Sequence, residues 1–149
     1  MEEYEWARLR ADELRKYSRD DTVIILPVAA LEQHGPHLPV MVDSRLVGEV
    51  SKRTASLGRN KGVPIITLPV VWHGLSEHHM PFGGTVTLTS NTFFLVVRDL
   101  ISSISRHGFS KFLILNGHGG NITAAEVCAQ DIGMELSLPV VAATYWLEA

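Results

Sequence analysis

The chain has 149 residues, 46% of them apolar and 19% charged, which is the balance of one globular domain, and it is too short to argue for two. A net charge of −3 with no cluster of Lys or Arg excludes the electrostatic footprint of a nucleic-acid or anionic-membrane binder. The lone Cys128 rules out an internal disulfide and a thiolate-rich zinc site, and suits a reducing compartment.

The first residues, Met1-Glu2-Glu3-Tyr4-Glu5, are acidic where a secretory signal is basic and then apolar. The longest apolar run, Val23 to Leu31, is nine residues and contains Pro27, whereas a membrane-spanning helix needs about 20. The expectation is a soluble cytoplasmic protein.

In chain order, Glu2 to Lys16 reads as an exposed helix rich in Glu, Arg, Ala and Leu. Thr22 to Leu26 is a continuous β-branched and apolar run, as in a strand buried on both faces. A Pro-rich polar loop follows from Glu32 to Val42. Asp43 can cap a helix running to about Leu57, with Gly58 as its stop. Ile65 to Val71 reads as a second strand, although Pro69 argues against a central position. A loop from Trp72 to Gly84 carries three histidines. Thr89 or Ser90 can cap a helix whose Phe93, Val97, Leu100, Ile101 and Ile104 form one stripe, and His107-Gly108 suits its end. Phe112 to Leu115 is a third strand. Asn121 can cap a helix from Ile122 to about Leu136, and Pro139 to Tyr145 is a fourth strand.

Strands alternating with helices predict an α/β fold with a mostly parallel sheet covered on both faces. Ligands in such sheets bind outside the carboxyl ends of the strands. The loops leaving the first three strands are the ones rich in His, Gly and Pro, so residues far apart in sequence can meet at that edge.

Glu32, His34 and His37 fall within six residues just after the first strand. Carboxylate and imidazole without thiolate suit Zn, Mn or Fe in a hydrolytic centre, and Pro36 and Pro39 stiffen the loop. A polar loop at a sheet edge accounts for the same residues equally well. Asp43 can act as helix cap and metal ligand at once, because it has two oxygens. Asn116-Gly117-His118-Gly119-Gly120-Asn121 is a glycine-rich turn between strand and helix. It lacks the spacing and the lysine of a phosphate loop, no basic residue lies near it, and its central histidine suits metal better than phosphate or nucleotide. The second loop reads as a pocket wall: Trp72 and Phe82 offer apolar surface, while Ser76, Glu77 or His78 can orient a polar substrate. An ordered surface loop is the alternative for each of these. His107 reads as a helix-end cation.

Three segments together resemble the creatininase (creatinine amidohydrolase) family: Ala30 to Pro39 with Asp43 behind it, Glu77-His78 through Thr85, and Asn116 to Asn121. The resemblance runs from about Thr22 to the end of the chain. It implies a three-layer α-β-α sandwich with a mostly parallel central sheet, with residues 1–149 forming a single creatininase-like domain. It also implies two divalent metal ions (Zn, Mn or Fe), with Glu32, Asp43 and His118 on one, and His34 and bridging Asp43 on the other. A bridging water or hydroxide would attack the C–N carbon of a small polar, cyclic amide. The pocket would include Trp72, Ser76, His78, Phe82, Gly84, Gly119 and Gly120, and the family suggests a homo-oligomer, often a hexamer.

The pattern departs in two places. Creatininase has a Glu two positions after the third-motif His, where this chain has Gly120. Members with the His-Gly-Gly-Asn form take that carboxylate, and a proton-transfer His, from a later His-Ala-Gly-Glu-like segment. This chain reaches Ala149 before such a motif, so it resembles the N-terminal part of a usual member and its second metal site is incomplete. The catalytic residues are therefore open, with His78, Glu77 and Glu126 as candidates. The alternative to a hydrolase is a metal-binding, catalytically inactive chain that assembles with a partner.

Overall fold

The computed structural model describes residues 3–18 and 21–148. Four strands, β1 (Val23–Val28), β2 (Ile65–Thr67), β3 (Lys111–Asn116) and β4 (Val140–Thr144), form one sheet in the order β2-β1-β3-β4. Every pairing is parallel. The helices are α1 (Ala11–Tyr17), α2 (Val42–Asn60), α3 (Ser90–Ser105) and α4 (Ile122–Leu136).

Successive residues of a strand face opposite sides of a sheet, and β1 fills both. Ile24, Leu26 and Val28 join Phe93, Val97 and Ile101 of α3 and Ala125, Cys128 and Ile132 of α4 in the larger core. Ile25 points the other way, with Ala29, Leu115 and Val47 of α2. The result is the expected α/β sandwich, with α2 on one face of the sheet and α3 and α4 on the other. Cys128 lies inside the larger core, and burial, followed by the charge of Asp131, pushes its thiol up to about 11, so it is no nucleophile at neutral pH. No helix among the described residues is long and apolar enough to cross a membrane.

The elements differ from the sequence reading at four points. The first helix covers only Ala11–Tyr17, and Glu2 lies outside the described residues. Before it, Glu5 bridges to Thr67 and Trp6 packs against Phe109 at 5.3 Å, so tertiary packing overrides helix propensity there. The second strand stops at Thr67 instead of Val71, and only an isolated bridge pairs Val71 with Val28. Pro69 cannot donate to a ladder, and Pro27 of β1 has no N–H to offer on that side. Helix α2 begins at Val42, so Asp43 stands in its first turn and caps nothing through its side chain. That helix also runs past Gly58, where a Cβ would lie 2.3 Å from Ile65 Cδ1; the turn glycine is Gly62, with φ +79°.

Register sets up the site. Val28 pairs with Asn116, and Asn116 with Thr144, so three strands end level and their loops open at one edge.

Candidate metal centre

Three loops meet at this edge because buried amides tie them. Asn121 starts α4 but does not cap it. Its Oδ1 accepts from Leu75 N at 2.9 Å, and its Nδ2 donates to Ala29 O at 2.9 Å, linking the loops after β1, β2 and β3. Asn116 holds the turn after β3: its Oδ1 accepts from His118 N at 3.0 Å and its Nδ2 donates to His118 O at 2.8 Å. Gly74 and Gly120 permit the close approach. A Cβ on Gly74 would sit 2.2 Å from Ala29 O, and one on Gly120 would sit 2.3 Å from Leu75 O and 2.5 Å from His118 Nε2.

Glu32, His34, Asp43 and His118 converge there, with Glu32, Asp43 and His118 at most 9% exposed. Asp43 joins the two imidazoles. Its Oδ1 lies 3.0 Å from His34 Nε2 and its Oδ2 lies 3.0 Å from His118 Nδ1. Glu32 Oε1 approaches the same His118 nitrogen at 3.4 Å, while Glu32 Oε2 is buried without a hydrogen-bond partner.

The far nitrogen of each ring is fixed by a main-chain carbonyl. His34 Nδ1 donates to Glu32 O at 3.1 Å, and His118 Nε2 donates to Leu75 O at 3.1 Å, with Ser76 Oγ at 3.2 Å. A carbonyl only accepts, so each bond fixes the tautomer and aims the other nitrogen at Asp43. Burial works against the His118 imidazolium. The hydrogen bonds to Asp43 and Leu75 and the charges of Glu32 and Asp43 outweigh it, so the pKa lies above the ordinary value. Burial, and then the charge of Asp43, raises the pKa of Tyr145 nearby.

Two groups of side chains offer ligand atoms within 4.8 Å of one another: Glu32, His34 and Asp43, and Glu32, His78 and His118. Three imidazoles and two carboxylates, one of them with an orphaned buried oxygen, fit a borderline divalent cation. The other candidates sit elsewhere. Glu126 is exposed on α4 and belongs to neither group. Glu77 and His78 are exposed on a 3-10 turn and help line a cavity of about 350 Å³ with Leu75, Thr87 and Ser90. Ser76, read as a pocket residue, is 0% exposed and turned onto His118. Gly120 lines a second cavity of about 350 Å³ beside Phe94 and Thr123. Gly119 is exposed at the turn. Trp72 stacks on His73 at 3.6 Å, Phe82 lies 6.0 Å from the His79 ring, and Gly84 turns with φ +84° beside Val40. His37 is exposed and in neither metal-ligating group.

The sequence reading missed the scaffold: the Leu75 carbonyl, the two asparagines, and His78 as part of a metal-ligating group. Only the level strand ends reveal these, because nothing local to Leu75 or Asn121 signals what lies across the edge.

Known proteins share this arrangement of elements. The family model described as creatinine amidohydrolase matches residues 7–149. Creatinine amidohydrolase from Pseudomonas putida is 34% identical over 106 residues, covering 68% of this chain and 39% of that protein. The mycofactocin precursor peptide peptidase of Mycolicibacterium smegmatis is 33% identical over 103 residues, covering 68% of this chain and 41% of that protein. A solved structure described as creatininase Mn superposes with a TM-score of 0.87 at 28% identity, over 97% of this chain and 59% of the other. The chain thus spans about two-fifths of the length of these curated relatives. By fold and by sequence, it belongs to the creatininase family.

Proposed function

We propose that this chain carries the metal centre of a hydrolase that cleaves a C–N bond in a small polar, cyclic amide. Glu32, Asp43 and His118 would hold one divalent cation, and His34 with the shared Asp43 a second. The observation that carries this reading is Asp43, whose two oxygens face two different imidazoles at 3.0 Å each. Cations bound there supply Lewis acidity, which acidifies water and stabilises negative charge developing on a substrate oxygen. The protein's part is orientation. Leu75 O and Glu32 O fix the ring tautomers, and Asn116 and Asn121 keep the three loops from shifting. His78 lines the cavity beside Leu75.

Metal analysis of protein purified without chelator tests the centre. Wild type is expected to retain Zn, Mn or Fe, and Glu32→Ala and His118→Ala to lose it; equal content in all three would refute the assignment. Turnover is tested on creatinine, other cyclic amides and lactams, and short peptides, with each metal added. Relatives named for a cyclic amide and for a peptide bracket that panel.

One observation favours a second reading, a chain that binds metal without turnover and works in an assembly. Among the described residues, His34 and Asp43 are the donors facing the second cation's position, with Glu32 within ligand distance of both. A chain that holds one cation firmly and hydrolyses nothing in the panel would support it.

A further inference from the structure

We propose that His78 is a ligand of the cation held by Glu32 and His118, so that the loop after β2 supplies an imidazole to the metal centre. This rests on the metal-centre reading above. A ligand atom of His78 lies within 4.8 Å of one from Glu32 and one from His118. The His78 and His118 rings are nearly parallel, with centroids 6.1 Å apart and 10° between their planes. Two atoms bonded to one cation at ~2.1 Å are at most ~4.2 Å apart, so a sub-ångström inward movement of an exposed ring completes the shell.

A second observation concerns Glu32, which belongs to this group. Glu32 is 6% exposed, yet its Oε2 has no hydrogen-bond partner. A buried carboxylate oxygen left bare is costly unless a cation or donor meets it. Neighbouring elements leave the role to His78. Position 120 cannot carry a side chain, because a Cβ there would collide with Leu75 O and His118 Nε2. Glu126 is exposed and outside both ligand groups. His79, the other ring on the same turn, is engaged with Gln33 Nε2 at 2.9 Å. A shell with an added imidazole ranks zinc and cobalt above manganese.

Titrating the metal-free chain with Co²⁺, Zn²⁺ and Mn²⁺, followed calorimetrically and by visible absorption of the cobalt form, tests this. His78→Ala is expected to bind one of the cations at least tenfold more weakly, with altered cobalt bands and a smaller preference for zinc over manganese. His107→Ala, at the far end of α3, is expected to bind like wild type. Circular dichroism and thermal melting establish that each variant is folded. Independently of any variant, a ring-nitrogen resonance of His78 in wild type should shift on adding Zn²⁺. If His78→Ala keeps wild-type affinity and cobalt spectrum, or the His78 resonance does not move, the inference fails while the metal centre stands. If wild type binds no cation at all, both fail together.

Discussion

The layer under α3 and α4 and the carboxyl edge of the sheet are both buried, but they use burial in opposite ways. Under the helices, Phe93, Ile101, Ile114 and Ile132 pack with no exposed surface, and shape alone sets the energy. At the edge, Glu32, Ser76, Asn116, His118 and Asn121 are also buried and are polar. Among the described residues, two buried side-chain atoms lack a hydrogen-bond partner, Glu32 Oε2 and His73 Nδ1, and both belong to loops leaving that edge. Stability is concentrated in the first region, and the second is built with an unmet demand that a cation can meet.

The largest effect tests that division directly. Phe93→Ala removes the largest fully buried side chain and should cost ~3–5 kcal/mol of unfolding free energy, measured by denaturant titration. The protein that remains folded should bind metal with wild-type affinity. A parallel loss of metal affinity would show that the two regions are coupled.

Gly120→Ala comes next, acting on the edge alone. Its methyl would meet the Leu75 carbonyl, which is backbone, and the His118 ring. The expected cost is ~1–3 kcal/mol, as for overpacking elsewhere. Metal affinity should fall with it, because the Leu75 bond that orients His118 must lengthen. A variant that melts lower but binds metal unchanged would mean that the carbonyl does not set the ring's direction.

The same contrast explains what could be read from the sequence. Apolar runs such as Val23–Leu26 and the Phe93–Ile104 stripe identify the strands, the helices and the sandwich, because burial in regular elements leaves a periodic mark. The cluster of Glu32, His34 and His118 was also legible as a candidate site, since these residues sit in loops of unusual composition and a family resemblance links them. Whatever depends on contact across the edge was not. Asp43 was read as cap and ligand together, yet it caps nothing, and both its oxygens are turned to histidines. Asn121 also looked like a cap, yet its amide bridges two other loops. Ser76 resembled a pocket residue and lies beneath His118. The N-terminal stretch had helical composition, but Trp6 found a better partner in Phe109.

The smallest expected effect is the most direct test of the unmet demand. Glu32 and Asp43 crowd acceptor oxygens around one imidazole nitrogen of His118, and the far nitrogens of both rings already donate to carbonyls. The site is therefore short of donors. Glu32→Gln keeps the shape, removes one of the two buried charges and adds an N–H₂ that can donate. The metal-free variant should be more stable than wild type by about 1 kcal/mol, the scale on which functional sites trade stability for activity. With saturating Zn²⁺ the order should reverse, because the wild-type carboxylate then gains its cation and metal binding stabilises the folded state by mass action. Paired thermal melts with and without metal read both signs. If Glu32→Gln is the less stable protein in chelator as well, the bare oxygen is not a cost of the fold, and the contrast between the two regions is one of composition alone.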